Sequence, residues 1–268
     1  MIKVLVAVDS DLASSIALRY GCQLANLMEV ELQTIHVKEP GLEGPATGAG
    51  WARRTWEKEL LQKGKDEIAQ LLKAESSFCP VLSKPLIVIG DREEEILHEL
   101  QRGAYDLFVE GIPSVSSSSK LYQKIHSSLY QHMGCPFILV KNLLPLQKVL
   151  LLLSDEADPR HLISTFLRIF RGAKIGVDLL SYKFQQTGLS FSPGEEEGDR
   201  RIKDAGRLLA SEGWTSDQSR VAQGPPAGLA EHLQEYGLVL AAIDRSFSKK
   251  SQLLALLDYI SSPVLVCW

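Results

Sequence analysis

Short runs rich in Val, Ile and Leu alternate with longer stretches in which apolar residues return every three or four positions. The short runs fit strands buried on both faces, and the longer period fits helices with one face inward, so the alternation predicts βαβ units around a parallel sheet. Strands are expected at 2–8 (IKVLVAV), 30–37 (VELQTIHV), 84–89 (KPLIVI), 105–110 (YDLFVE) and 136–141 (PFILVK). Helices are expected between them: around 12–28, where Leu12, Ile16, Leu24, Leu27 and Met28 share a face, from Trp56 to Leu72, and from Glu93 to Leu100.

The same order then returns. Runs at 148–153 (KVLLLL), 174–180 (KIGVDLL), 219–223 (SRVAQ), 237–243 (GLVLAAI) and 263–268 (PVLVCW) repeat the strands. Lys3 aligns with Lys148, Gly90 with Gly224, Tyr105 with Tyr236 and Pro136 with Pro263, and the spacing within each pair shrinks steadily along the chain. Deletions in a duplicated unit produce that trend, with the losses falling mainly in the second helix and after the fourth strand. The expected domains are 1–143 and 147–268, joined by the short Pro-containing connector NLLPLQ at 142–147. Two Gly-rich stretches, 41–50 and 185–199, read as lids or slack between strand two and helix two.

A length of 268 residues, 45% of them hydrophobic and 23% charged, supplies both copies with a core. The net charge of -4, with Lys and Arg scattered among acids, gives no general attraction to nucleic acid or to an anionic membrane. No apolar run approaches the roughly 20 residues that cross a bilayer, and the opening MIKVLVAVDS reads as a strand without a secretory cleavage region. A cytoplasmic protein without membrane insertion is expected. Cys22, Cys79, Cys135 and Cys267 lie far apart without CxxC spacing, so all four are expected to be reduced and buried, with neither a disulfide framework nor a zinc site.

The strand ending in Asp9, the pair Gly90–Asp91 ahead of a helix, DLFVEG at 106–111 and GCPFILVK at 134–141 together resemble the universal stress protein family. QGPP at 223–226, GLVLAAID at 237–244 and SSPVLVCW at 261–268 echo the pattern, so the resemblance is to the tandem form. It implies two five-stranded parallel sheets of order 3-2-1-4-5, like the adenine nucleotide α-hydrolases, with helices on both faces. It further implies pairing of the two units through their last strands and, in one subfamily, ATP or AMP binding.

A nucleotide in such a sheet sits beyond the carboxyl ends of the strands, at the switch point between strands one and four, which puts Asp9 and Gly111 on one rim. By the resemblance, Asp9 lies near adenine, Val37 ends strand two where a backbone contact to adenine falls, and a GxxG-type turn after strand four cradles phosphate. Ser114 stands in place of the second glycine of that turn, and Gln123 or Lys124 in place of the third. Side chains of Ser114, Ser116 and Lys124 could replace the lost backbone contacts, or the serine run is a solvated loop. Asp9 itself reads equally as a turn or helix-capping residue, and Val37 as core. In the second copy Ser154 takes the place of Asp9 and AIDRSFSKKSQ lacks glycine, so no such site is expected there.

GxSxG, HExxH, the Walker loop and GxGxxG are all missing from the sequence, and no general base and nucleophile can be paired, so an enzyme is not expected. The leading expectation is a stress-response or regulatory protein that binds partner proteins and pairs internally, with room for a homodimer. The alternative is an ATP- or AMP-binding switch in the first copy.

Overall fold

A computed structural model of the chain describes residues 1–41, 50–79, 83–113, 118–193 and 200–268. Among these residues eleven strands form one sheet: β1 (Ile2–Ala7), β2 (Val30–Lys38), β3 (Leu86–Ile89), β4 (Leu107–Gly111), β5 (Phe137–Val140), β6 (Lys148–Leu153), β7 (Gly176–Phe184), β8 (Ser190–Pro193), β9 (Gln218–Gly224), β10 (Leu238–Ala242) and β11 (Val264–Cys267). Their order is β3-β2-β1-β4-β5-β11-β10-β6-β7-β9-β8. Each half therefore has the expected order 3-2-1-4-5 with parallel neighbours, and all ten expected strands form.

The halves join where β5 meets β11 antiparallel, with Leu139 opposite Val264, Ile138 opposite Leu265 and Phe137 opposite Val266. The strand tips of the two halves consequently point in opposite directions. One expectation is corrected at the far edge. Within 185–199, which reads as a lid or slack, Ser190–Pro193 forms β8 and pairs antiparallel with β9, a sixth strand among the described residues of the second half. Gly188, at φ 75, makes the turn that brings it back. Residues 42–49 and 194–199, the remainder of the two stretches, lie outside the described residues.

Helices α1 (Leu12–Leu27), α2 (Gly50–Glu75), α3 (Arg92–Gly103), α4 (Ser118–Ile125), α5 (Ser128–His132), α6 (Pro159–Ile169), α7 (Arg200–Ser211), α8 (Pro226–Glu231) and α9 (Gln252–Tyr259) cover the sheet. Strand alternation divides the interior in two. Val4, Val6 and Val8 face a core made with α1, α2, α6 and α7. Leu5 and Ala7 face one made with α3, α4, α5, α8 and α9. The predicted loss in the second helix appears as 12 residues in α7 against 26 in α2.

Side chains fasten the seam. Lys141, buried just after β5, donates to the carbonyls of Leu257, Asp258 and Ile260 at 2.7, 2.8 and 2.9 Å, closing the C-terminus of α9 in the other half. The Tyr20 hydroxyl of α1 donates to the Gly237 carbonyl at 2.9 Å, and Arg168 meets Asp106 at 3.1 Å. No helix among the described residues is long and apolar enough to cross a membrane.

Cysteine chemistry departs from expectation. Cys22 in α1 and Cys79 just past α2 form a disulfide with their Cα atoms 5.4 Å apart. A separation of 57 residues hides the pairing in the sequence, and only packing of α2 along α1 brings the two together. Cys135 and Cys267 are free and buried, as expected, and burial pushes each thiol up to about 12.

Candidate functional site

β1 and β4 lie side by side at the centre of the first half, and the chain leaves their tips in different directions. The crevice there holds a cleft of about 390 Å³ lined by Asp9, Asp11, Ser14, Arg92, Glu110, Gly111, Ile112, Pro113, Leu121 and Lys124. This is where an open parallel sheet presents its ligand site. Asp9, Gly111 and Lys124 meet there. Val37 does not: its side chain is buried in the core beneath α3, and it faces Val88 across the β2–β3 ladder. Ser114 and Ser116 lie outside the described residues.

The helix-capping role that Asp9 could have filled belongs to Asp11, whose Oδ1 accepts from the Ser14 N–H at 2.7 Å. Asp9 is thereby free to turn inward. Its Oδ1 lies 3.1 Å from Nδ1 of His36, and its Oδ2 accepts from Arg92 Nε at 3.3 Å. The His36 hydrogen bond, aided by Arg92 and opposed by burial, holds the Asp9 carboxyl below its usual range.

His36 is buried in β2. Its Nδ1 also faces the Val8 carbonyl at 2.9 Å, so this nitrogen carries a proton; Nε2 faces Glu67 of α2 at 3.3 Å. Burial disfavours the imidazolium, but the Asp9 and Val8 oxygens, with Glu67, outweigh it and raise its pKa. Lys38 completes the chain with a short bond to Glu67.

Glu110 dominates the other side of the cleft. It is 4% exposed at the end of β4, and its Oε1 binds Arg92 Nη2 at 2.9 Å while Oε2 binds Lys124 Nζ at 2.9 Å. The Tyr130 hydroxyl adds a short bond to Oε2. Burial pushes this carboxyl up, yet Lys124 and Arg92 prevail and hold it below the ordinary value. Both cations among the described lining residues are thus committed to Glu110, and Arg92 bridges it to Asp9. An incoming phosphate would meet a buried carboxylate and two neutralised cations.

Gly111 has its own reason to be glycine. A Cβ there would stand 1.9 Å from the Ala13 carbonyl oxygen, so β4 touches the backbone of α1. In the second half the corresponding tip is closed from within. Glu156 accepts from the Leu253 N–H at 3.0 Å and from the hydroxyl of Ser251, the N-cap of α9, so a carboxylate already occupies that helix N-terminus. Ser154 accepts from the Glu156 N–H at 3.3 Å. No group of three His, Cys, Asp or Glu side chains among the described residues is placed to hold a metal.

Sequence reading missed Glu110, Arg92 and His36. Glu110 carried a signal, a charged residue inside an apolar strand run immediately before a glycine. Arg92 stands beside Asp91, Glu93, Glu94 and Glu95, and His36 lies within a strand run, so neither carries a signal in the sequence.

A parallel sheet wound in both directions from its switch point, with a polar cleft over it, defines a doubly wound α/β fold, here in tandem. A family model described as the universal stress protein family matches residues 1–141. The chain belongs to that family. Among solved structures it is similar to a universal stress protein from Archaeoglobus fulgidus, with a TM-score of 0.67 and 12% identity over 99% of this chain and 95% of that one. A putative universal stress protein from Pseudomonas aeruginosa gives a TM-score of 0.58 and 18% identity over 98% and 92%. A functionally unknown protein from the same species gives 0.57 and 17% over 98% and 91%. At these identities the likeness is one of fold. No curated protein matches the sequence.

Proposed function

We propose that the protein is a non-enzymatic stress-response regulator that acts by binding partner proteins, with units 1–143 and 147–268 working as one internally paired body. Its first-half cleft does not serve as an ATP or AMP switch. What supports this reading is the buried Glu110 carboxylate, which holds Arg92 and Lys124 at 2.9 Å each. Among the described lining residues no cation is left for a phosphate. Displacing Glu110 from both partners would strand a buried charge, which costs several kcal/mol by general experience with buried pairs.

Calorimetric titration of nucleotide-stripped protein with ATP, ADP and AMP, with and without magnesium, tests the reading. No saturable heat is expected for the wild type. Glu110→Ala frees Lys124 and leaves Arg92 paired with Asp9 alone, and anion affinity is expected to rise by about tenfold or more, the scale of a charge-assisted pair. Saturable binding of a nucleotide at one site per wild-type chain overturns the proposal in favour of the nucleotide switch.

A further inference from the structure

We propose that Cys22 and Cys79 form a reversible disulfide–dithiol couple that sets how firmly α2 is held on the sheet and thereby how Glu67 meets His36. The bond joins two elements of unequal anchorage. α1 buries Ser14, Ala17, Leu18, Tyr20, Gly21, Cys22 and Leu24 within its 16 residues. α2 is 26 residues long, yet those of its side chains that are described and fully buried belong to Leu60, Ile68 and Glu75, with Gly64 pressed against Ile87 and His36. Its C-terminal end is fastened by the disulfide and by Glu75, which accepts from Ser15 Oγ and Arg19 Nε at 2.7 Å each.

Opening the bond would leave α1 seated and loosen only the last turns of α2. Just beyond those turns the chain is open to solvent at Ser76, Ser77 and Phe78, the last 65% exposed, which gives a reductant a local route to two otherwise buried sulfurs. Glu67 lies two turns before Glu75 on the same helix and supplies the outer partner of His36, whose inner partner is Asp9 of the cleft. A change in α2 is thereby conveyed to the cleft whatever ligand the cleft accepts.

The reaction is thiol–disulfide exchange with a dithiol reductant. One reductant thiolate attacks a sulfur of the Cys22–Cys79 bond, that bond breaks, and the released cysteine sulfur takes up a proton. The second reductant thiolate then attacks its own partner sulfur in the mixed disulfide and releases the other cysteine, which is protonated in turn. Two electrons and two protons pass to the protein, and the reductant leaves as a cyclic disulfide.

Full-length protein prepared without reductant is treated with dithiothreitol under native conditions, free thiols are alkylated and counted by mass, and amide exchange is followed in parallel. Cys22 and Cys79 are expected to react as a pair and to re-form the bond on oxidation. Exchange across 65–79 is expected to quicken by about tenfold or more, with 12–24 and the second half unchanged. Cys22→Ser/Cys79→Ser is expected to reproduce this pattern without reductant and to lower the pKa of His36, read by NMR. The proposal is overturned if no bridge is trapped, if reduction waits for unfolding of the whole chain, or if exchange in α2 is the same in both states.

Discussion

Gly111 and His36 carry different messages at the scale of single residues. The motif reading makes Gly111 a phosphate-contacting glycine; the backbone of α1 at 1.9 Å from its would-be Cβ makes it a packing glycine as well. Gly111→Ala is therefore expected to lower stability by about 2–3 kcal/mol in urea unfolding even without any ligand, because the start of α1 must move. His36 governs pH dependence. Its folded pKa is raised, so its stabilisation is complete below the unfolded value of about 6.5 and is lost as pH climbs through the folded value. Asp9 and Glu67 are held low, so their contributions are present above about pH 4 and disappear only in acid. Unfolding midpoints are expected to decline as pH rises above about 6.5 in the wild type, and His36→Gln is expected to abolish that decline while keeping the acid limb. Asp9 and Gly111 were legible because each stands where a strand ends. Glu110, Arg92 and His36 were not, because their significance lies in meeting across β4, α3 and β2, and no spacing along the chain encodes that meeting.

Among the elements, α2 shows what periodicity can and cannot convey. Its central face from Trp56 to Leu72 is plain in the sequence, and the helix extends to Gly50–Glu75. The bond at its end is invisible, since Cys22 and Cys79 are brought together only by tertiary packing. A cross-link spanning 57 residues removes considerable freedom from the unfolded chain. Cys22→Ser/Cys79→Ser is expected to cost about 2–4 kcal/mol, measured by denaturant unfolding under oxidising conditions. β8 was hidden for another reason. Four residues between Gly188 and a Pro, Gly and Glu-rich run are too few to display a period of two, and β8 finds its place only because β9 offers an open edge.

For the whole molecule, the duplication of a parallel α/β unit was readable from the repeated runs, while the strand order 3-2-1-4-5 and the closure through the fifth strands followed from the resemblance. The side chains that lock the closure were not readable, Lys141 foremost: it looks like an ordinary strand-ending lysine until two carbonyls of α9 and that of its C-cap, Ile260, surround it. Lys141→Met leaves those carbonyls buried without a donor and is expected to destabilise the protein by about 2–3 kcal/mol, seen as a lower calorimetric midpoint. The antiparallel pairing of β5 with β11 also bears on biosynthesis. β11 comes last of the eleven strands in chain order, while its partner β5 is made before any of the second half. A nascent chain must therefore carry the Phe137–Val140 strand with an open edge until the second half has emerged from the ribosome, a period during which a chaperone or a neighbouring nascent chain can reach it first.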